Sequence, residues 1–259
     1  MAQIISVHSF RGGTGKSNTI ANVAAIMVAQ GKRVAIIDTD IQSPGVHVIF
    51  GLKEDKIEHS LNDYLWGRCE MKDTAYDVTH TLISRQENTN KINGSLHLIP
   101  SSIKAGEIAR ILREGYDVAR LNDGFQELIC SLNLDYLFID THPGLNEETL
   151  VSIGISNVLI VILRPDHQDF QGTAVTVDVA RKLRVPKMLL VINKALPSLN
   201  FADLQQQVES IYNAPVAGIL PFSEDMIQLA SKDIFSVQYP DHPISQAIKR
   251  IVEQVADIA

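Results

Sequence analysis

The sequence predicts an α/β fold: a doubly wound, mostly parallel sheet flanked by helices on both faces. Short β-branched apolar runs recur along the chain with turn residues at their ends, the pattern of strands buried on both faces. Stretches with apolar residues at helical spacing separate them, and strands alternating with crossover helices build parallel sheets. The 259 residues are 45% hydrophobic and 20% charged, with no repeat, low-complexity tract or linker, so a single domain over residues 1–259 is expected.

Taken in order, Ile4-Ile5-Ser6-Val7 is the first expected strand. A glycine-rich loop follows, then a helix over 17–30 with Ile20, Val23, Ala24, Met27 and Val28 on its apolar face and Gly31 as its C-terminal glycine. Val34-Ala35-Ile36-Ile37 is the second strand, ending in Asp38-Thr39-Asp40. Residues 44–94 are less regular, with helical pieces at 60–66 and 72–78 and a polar loop at Gln86-Glu87-Asn88-Thr89-Asn90. The strand pattern resumes at 96–100, and 104–132 reads as helix. Residues 136–140, 158–163 and 188–192 are three more strands, the last two separated by a helix at 173–183. A short β-like run at 217–220 and a terminal helix at 244–258 complete the pattern.

The formal net charge of −7 excludes a general affinity for nucleic acid, so any DNA contact needs a local basic patch. Cys69 and Cys130 stand far apart in no metal-ligand spacing, which fits a reducing cytoplasm better than a disulfide framework. The first six residues read as a strand rather than a signal peptide. No stretch approaches the roughly 18–20 uncharged apolar residues of a membrane span.

The segment Arg11-Gly12-Gly13-Thr14-Gly15-Lys16-Ser17 carries the chemistry. A phosphate-binding loop needs small residues so that backbone N–H groups can approach oxygens, and a helix N-terminus behind it to favour the anion. It needs a lysine for the β- and γ-phosphates and a hydroxyl for Mg²⁺. Gly12, Gly13 and Gly15 supply the backbone, Lys16 the cation and Ser17 the hydroxyl, between an expected strand and an expected helix. Phe10 stands where the general pattern has its first glycine.

This segment resembles the deviant Walker A motif of the MinD/ParA family, usually Lys-Gly-Gly-x-Gly-Lys-Thr/Ser. The resemblance implies a Mg²⁺-dependent ATPase that forms an ATP-dependent homodimer, in which the leading residue reaches the partner's phosphates. That residue is Arg11 here, which keeps the charge and adds a fork. Asp38-Thr39-Asp40-Ile41-Gln42-Ser43-Pro44-Gly45 is similar to the family's first switch. By that likeness Asp38 holds Mg²⁺ through water and Asp40 orients the attacking water. Leu137-Phe138-Ile139-Asp140-Thr141-His142-Pro143-Gly144 is similar to the Walker B strand and second switch, making Asp140 another outer Mg²⁺ ligand and Gly144 a γ-phosphate contact. Ligands of open parallel sheets do sit beyond the carboxyl ends of strands. His142 stands where many relatives have a small residue or proline; a turn histidine bonded to backbone is favoured over a switch role. For the base, the resemblance implies Asn193 on the adenine edge and a second loop with Pro221, Phe222 and Asp225. Thr14 and Asn18 complete the expected nucleotide contacts.

The family divides by the surface its dimer touches. MinD-like members end in a membrane-binding amphipathic helix, but the tail from Ile244 has no Phe, Trp or Leu and its charges cancel, so packing against the sheet accounts better for its stripe. ParA-like members present basic residues to non-specific DNA. Arg181, Lys182, Arg184 and Lys187, joined by Arg164, are the densest basic set, and a solvated helix end explains them slightly better than DNA contact does. The resemblance further implies a ParB-like or other activating protein, a positioned cargo, and a cytoplasmic, nucleoid-associated location. Two other classes share the fold: metal or iron–sulfur carriers, which use paired cysteines, and ATP-dependent biosynthetic enzymes of the dethiobiotin-synthetase type. A tyrosine-kinase relative would want a tyrosine-rich tail, and Tyr239 is the last tyrosine.

Overall fold

The computed structural model describes residues 2–83 and 93–256. The polar loop expected at 86–90 and the last residues of the terminal helix lie outside the described residues. Among the described residues eight strands form one sheet: β1 (Gln3–His8), β2 (Arg33–Asp38), β3 (Tyr76–Asp77), β4 (Ser95–Ile99), β5 (Tyr136–Asp140), β6 (Val158–Leu163), β7 (Lys187–Ala195) and β8 (Val216–Pro221). Their order is β3-β4-β2-β5-β1-β6-β7-β8, and only the β3–β4 pair is antiparallel.

Successive side chains of a strand point to opposite faces, and both faces here are buried. Val34, Ile36, Phe138, Ile160 and Ile162 face one layer with the helices Lys16–Ala29 and Pro243–Ala256. Their neighbours Ala35, Ile37, Leu137 and Ile139 face the helix Val118–Ser131. On the same side, Leu159, Val161 and Leu163 pack with the helices His167–Lys182 and Phe201–Tyr212. The helix Lys16–Ala29 is buried almost all round, because the terminal helix covers the side that the sheet does not. Ile244, Ile248, Ile251, Val252 and Val255 of that terminal helix are buried, which accounts for the apolar stripe of the tail. Among the described residues no helix is long and apolar enough to cross a membrane.

Three expectations are corrected. Residues 72–78 are helical only at their start: a 3-10 helix, Met71–Thr74, leads into β3. Thr74, Tyr76 and Val78 alternate with Asp73 and Asp77, so the period of two prevails over the helical one, and the Tyr76 hydroxyl is tied to the His59 backbone. The helix expected over 104–132 is two, Ala105–Glu114 and Val118–Ser131. Gly115 at φ 67° ends the first, and Asp117 caps the second by accepting from the Ala119 amide at 2.9 Å. Finally, β7 runs to Ala195 through an irregularity at Asn193–Ala195, where Lys194 has φ 57°.

Ile251 is fully buried between the terminal helix and its supports. Ile251→Ala is expected to cost about 2–5 kcal/mol. Urea unfolding measures this, and a cost near zero would contradict the tight docking of the tail.

Candidate nucleotide-binding site

The phosphate loop leaves β1 at the centre of the sheet and opens the helix Lys16–Ala29. Gly13 (φ 75°) and Gly15 (φ 99°) are left-handed, a conformation that turns successive N–H groups inward and that L side chains avoid. A Cβ on Gly15 would also collide with the Asn193 amide. The loop is held from outside by β7. Asn193 Nδ2 donates to the Thr14 carbonyl at 2.7 Å, and Lys194 Nζ donates to the Gly13 carbonyl at 2.8 Å. The strand irregularity aims both side chains at the loop, and sequence spacing does not show it.

Beside the loop, the parallel register sets Asp38 directly opposite Asp140 at the ends of β2 and β5. Both are buried. Ser17 Oγ donates to Asp140 Oδ2 at 2.6 Å, while Asp140 Oδ1 is buried with no hydrogen-bond partner among the described residues. Both oxygens of Asp38 are engaged by the first-switch backbone: Oδ1 by the Asp40 amide (3.1 Å), Oδ2 by those of Gly45 (3.0 Å) and Val46 (3.4 Å). Burial, then the charge of Asp140, pushes the Asp38 carboxyl well above the ordinary range. Burial likewise pushes Asp140 up to about 6, against the pull of Lys16 and the Ser17 bond. Two buried carboxylates, one with an orphaned oxygen beside a serine hydroxyl, fit a hard divalent cation that keeps most of its waters.

His8, not singled out from the sequence, lies buried at the end of β1, its basicity lowered to about 3 by burial first and then by Lys16 and His142. Thr141 Oγ1 donates to the Val7 carbonyl at 3.0 Å, so His8 Nδ1, 2.8 Å from that hydroxyl, carries the proton. His142 Nδ1 lies 2.6 Å from Asp40 Oδ1, so its partner is a switch side chain and not backbone, contrary to the expectation.

A cavity of about 520 Å³ runs from Gly12, Gly13, Gly15, Lys16 and Ser17 at one end to Pro221, Phe222, Met226, Ile227 and Ile248 at the other. Asn18, Asp40, Pro143 and Asn193 also line it. Thr14 is buried behind it, and Gly144 donates its amide to the Ser9 carbonyl at 3.4 Å. Asp225 is not brought to it: its carboxylate turns to His242, 3.5 Å away. The apolar wall from Met226 to Ile248 escaped sequence reading because helix and tail residues converge there only in space. Arg11 points away from the cavity, its guanidinium on Gln168 Oε1 and 3.9 Å from Asp169.

The expected basic patch does not assemble as a unit. Lys187 opens β7 opposite Val158, whereas Arg164 follows Leu163 at the far end of β6, about 20 Å away at 3.3 Å per residue. Arg164 is also committed to Asp169, with Nε at 3.0 Å. Arg181 donates to the Tyr212 carbonyl, and Lys187 to that of Gln254 at 3.1 Å. Lys182 and Arg184 are exposed, with no side-chain hydrogen bond or ion pair among the described residues.

A left-handed glycine turn that opens a helix with Lys-Ser beside strand-end aspartates takes phosphate, which places the protein among the P-loop nucleotide-binding proteins. The chain belongs to the AAA domain family, whose model matches residues 2–189, and its likeness is to the MinD/ParA ATPases of that class. It is 25% identical over 258 residues to an uncharacterized ATP-binding protein of Methanocaldococcus jannaschii, covering 98% of this chain and 88% of the relative. The fold matches the septum site-determining protein MinD of Pyrococcus horikoshii OT3, solved with Mg-ADP, at a TM-score of 0.79 and 19% identity, covering 98% of this chain and 96% of that one. It also matches a putative plasmid partition protein of Borrelia burgdorferi B31 bound to AMPPNP, at 0.76 and 18%, covering 100% of both chains.

The raised carboxyls predict a pH dependence. Between 3.8 and about 6 the folded protein holds a proton on Asp140 that the unfolded chain has released, so nucleotide-free stability falls as pH rises through that window. Asp140→Asn should flatten this fall and raise the thermal midpoint at neutral pH. Melting curves of both proteins across that range check it; parallel curves would refute the buried-charge account.

Proposed function

We propose that the chain binds MgATP in this cavity, closes into a homodimer, and is reset by hydrolysis, as a positioning or partitioning ATPase. The observation that carries the reading is the continuous cavity. Its phosphate end and its apolar end match the two chemistries of a nucleotide, and its volume lies in the range of small-ligand pockets, about 300–1,000 Å³. The Mg-ADP and AMPPNP of the two solved relatives support it. In this reading the loop amides and Lys16 bind the phosphates, and Asn193 and the Pro221–Phe222 turn flank the base. Ser17 would hold Mg²⁺ directly, with Asp140 and Asp38 acting through its waters. Mg²⁺ neutralises phosphate charge when bound. Asp40, on the cavity wall, orients the attacking water.

The outward course of Arg11 supports action in trans: it is 42% exposed and lies off its own cavity, where a partner's phosphates can reach it. A charge-assisted bond to phosphate counts most where water is excluded. The metal-carrier alternative is disfavoured, because such carriers use closely spaced paired cysteines and Cys69 and Cys130 stand far apart in the sequence. The apolar stripe of the terminal helix is itself buried and is not free to meet a membrane. Lys182 and Arg184 are exposed at the end of the helix His167–Lys182 remote from the phosphate loop, which supports DNA as the surface.

Light scattering with ATP, ADP or no nucleotide, each with DNA or liposomes, tests this. A dimer with ATP only, taken up by DNA at low salt, is expected. A monomer throughout would favour a biosynthetic enzyme, and uptake by liposomes a membrane-surface ATPase. Lys16→Ala should abolish ATP binding by calorimetry; unchanged affinity would sink the phosphate-loop reading. Arg11→Ala should bind ATP yet dimerise poorly. Mixed with Lys16→Ala it should regain part of its hydrolysis, because the Lys16→Ala subunit brings an intact Arg11 to the one competent site. No rescue, with mixed dimers formed, would assign Arg11 a cis role or none.

A further inference from the structure

Among the described residues, the Asp40 carboxylate carries all its hydrogen bonds on one oxygen. Oδ1 accepts from the Ser43 amide at 3.2 Å, the Ser43 hydroxyl at 3.2 Å and His142 Nδ1 at 2.6 Å. Oδ2 receives none among the described residues, and the residue lines the cavity beside Ser43 and Pro143. An ionised carboxylate only accepts, so the proton of the 2.6 Å contact belongs to the imidazole.

This pairing follows from the sheet. Asp38 and Asp140 are opposite each other on neighbouring parallel strands, so Asp40 and His142, each two residues beyond, leave the sheet on the same side. His142 is anchored in turn: its carbonyl accepts from Thr149 Oγ1 at 3.3 Å, inside the first turn of the helix Glu147–Gly154 that Asn146 caps. Its side chain is only 22% exposed. Without His142, Asp40 would be held only by Ser43, a neighbour on its own loop, and its carboxylate would be free to exchange oxygens.

We infer that His142 is a positioning residue for hydrolysis: it pins Asp40 Oδ1 so that Oδ2 is presented to the attacking water. The bond also ties the segment after β2 to the segment after β5, so the two move together. This inference rests on Asp40 as the water-orienting group proposed above. Misplacing such a group by about 1 Å can cost on the order of a hundredfold in rate.

The test is a double-mutant cycle on the full-length protein: His142→Ala, His142→Asn, Asp40→Ala, and Asp40→Ala with His142→Ala. The measurements are kcat and KM for MgATP, together with the thermal midpoint. His142→Ala should lower kcat about ten- to a hundredfold with KM little changed, since in the proposed role Asp40 acts on the attacking water rather than on the phosphates. His142→Asn places an amide nitrogen where the imidazole has Nδ1 and should recover most of the loss. In the Asp40→Ala background, removing His142 should cost no further kcat. Wild-type kcat in His142→Ala, with Asp40→Ala inactive, overturns the inference and leaves the Asp40 reading standing. A loss that Asn does not repair and that persists without Asp40 also overturns it, as the mark of a structural role alone. Wild-type turnover by Asp40→Ala removes the Asp40 reading itself.

Discussion

The parallel register of β2 and β5 forces two aspartates, Asp38 and Asp140, into contact range in a buried place. Much of the site depends on what that repulsion requires. Burying one charged carboxylate is costly, and burying two side by side more so, unless cations and donors compensate. Lys16 lies near Asp140 and pulls its carboxyl back toward the charged form; Ser17 donates to it; three backbone amides converge on Asp38. The compensation is incomplete, as the orphaned Asp140 Oδ1 and the raised carboxyls both report. A site short of positive charge, next to a loop that accepts phosphates, takes cation and polyanion together more readily than either alone.

The loop itself is preorganised by parts of the fold remote in sequence. Its left-handed glycines cost conformational entropy on ordering, and two of its carbonyls are fixed by Asn193 and Lys194 on β7. The ring of Phe10 leaves no room for a Cβ on Gly172, so the segment before the loop is seated on the helix His167–Lys182. Phe10 therefore has a packing role where the general motif has glycine.

The fold was legible in the sequence because strands buried on both faces read as continuous apolar runs, and each run was short. It failed where two periods competed, at Thr74–Tyr76–Val78, and where a single glycine, Gly115, divided an otherwise helical pattern. The loop was legible because phosphate binding constrains consecutive residues. The apolar end of the cavity was not, since Met226, Ile227 and Ile248 come from two helices whose convergence no local spacing encodes. For the same reason the sequence groups Arg164 with basic residues at the opposite end of the sheet: charge density along the chain does not tell which end of a strand a residue follows. Likewise, the partner of His142 lies on a different strand end, visible only once the register is known.

The arrangement around Asp169 bears on how Arg11 can serve a second molecule. Asp169 is buried, and a buried carboxylate that loses its partner is strongly penalised. Arg11, however, is only the more distant of its cations, at 3.9 Å. Arg164 holds the same carboxylate through its backbone amide at 3.0 Å, its Nε at 3.0 Å and an Nη at 3.3 Å. The departure of Arg11 therefore leaves Asp169 paired and costs mainly one hydrogen bond to Gln168, itself at an exposed position. A guanidinium so lightly held, on a backbone whose carbonyl accepts from the Ser9 hydroxyl at 2.7 Å, is positioned to turn toward a phosphate presented from outside. The tight clamp by Arg164 makes that turn cheap, so Arg164 supports the proposed action of Arg11 by keeping Asp169 paired.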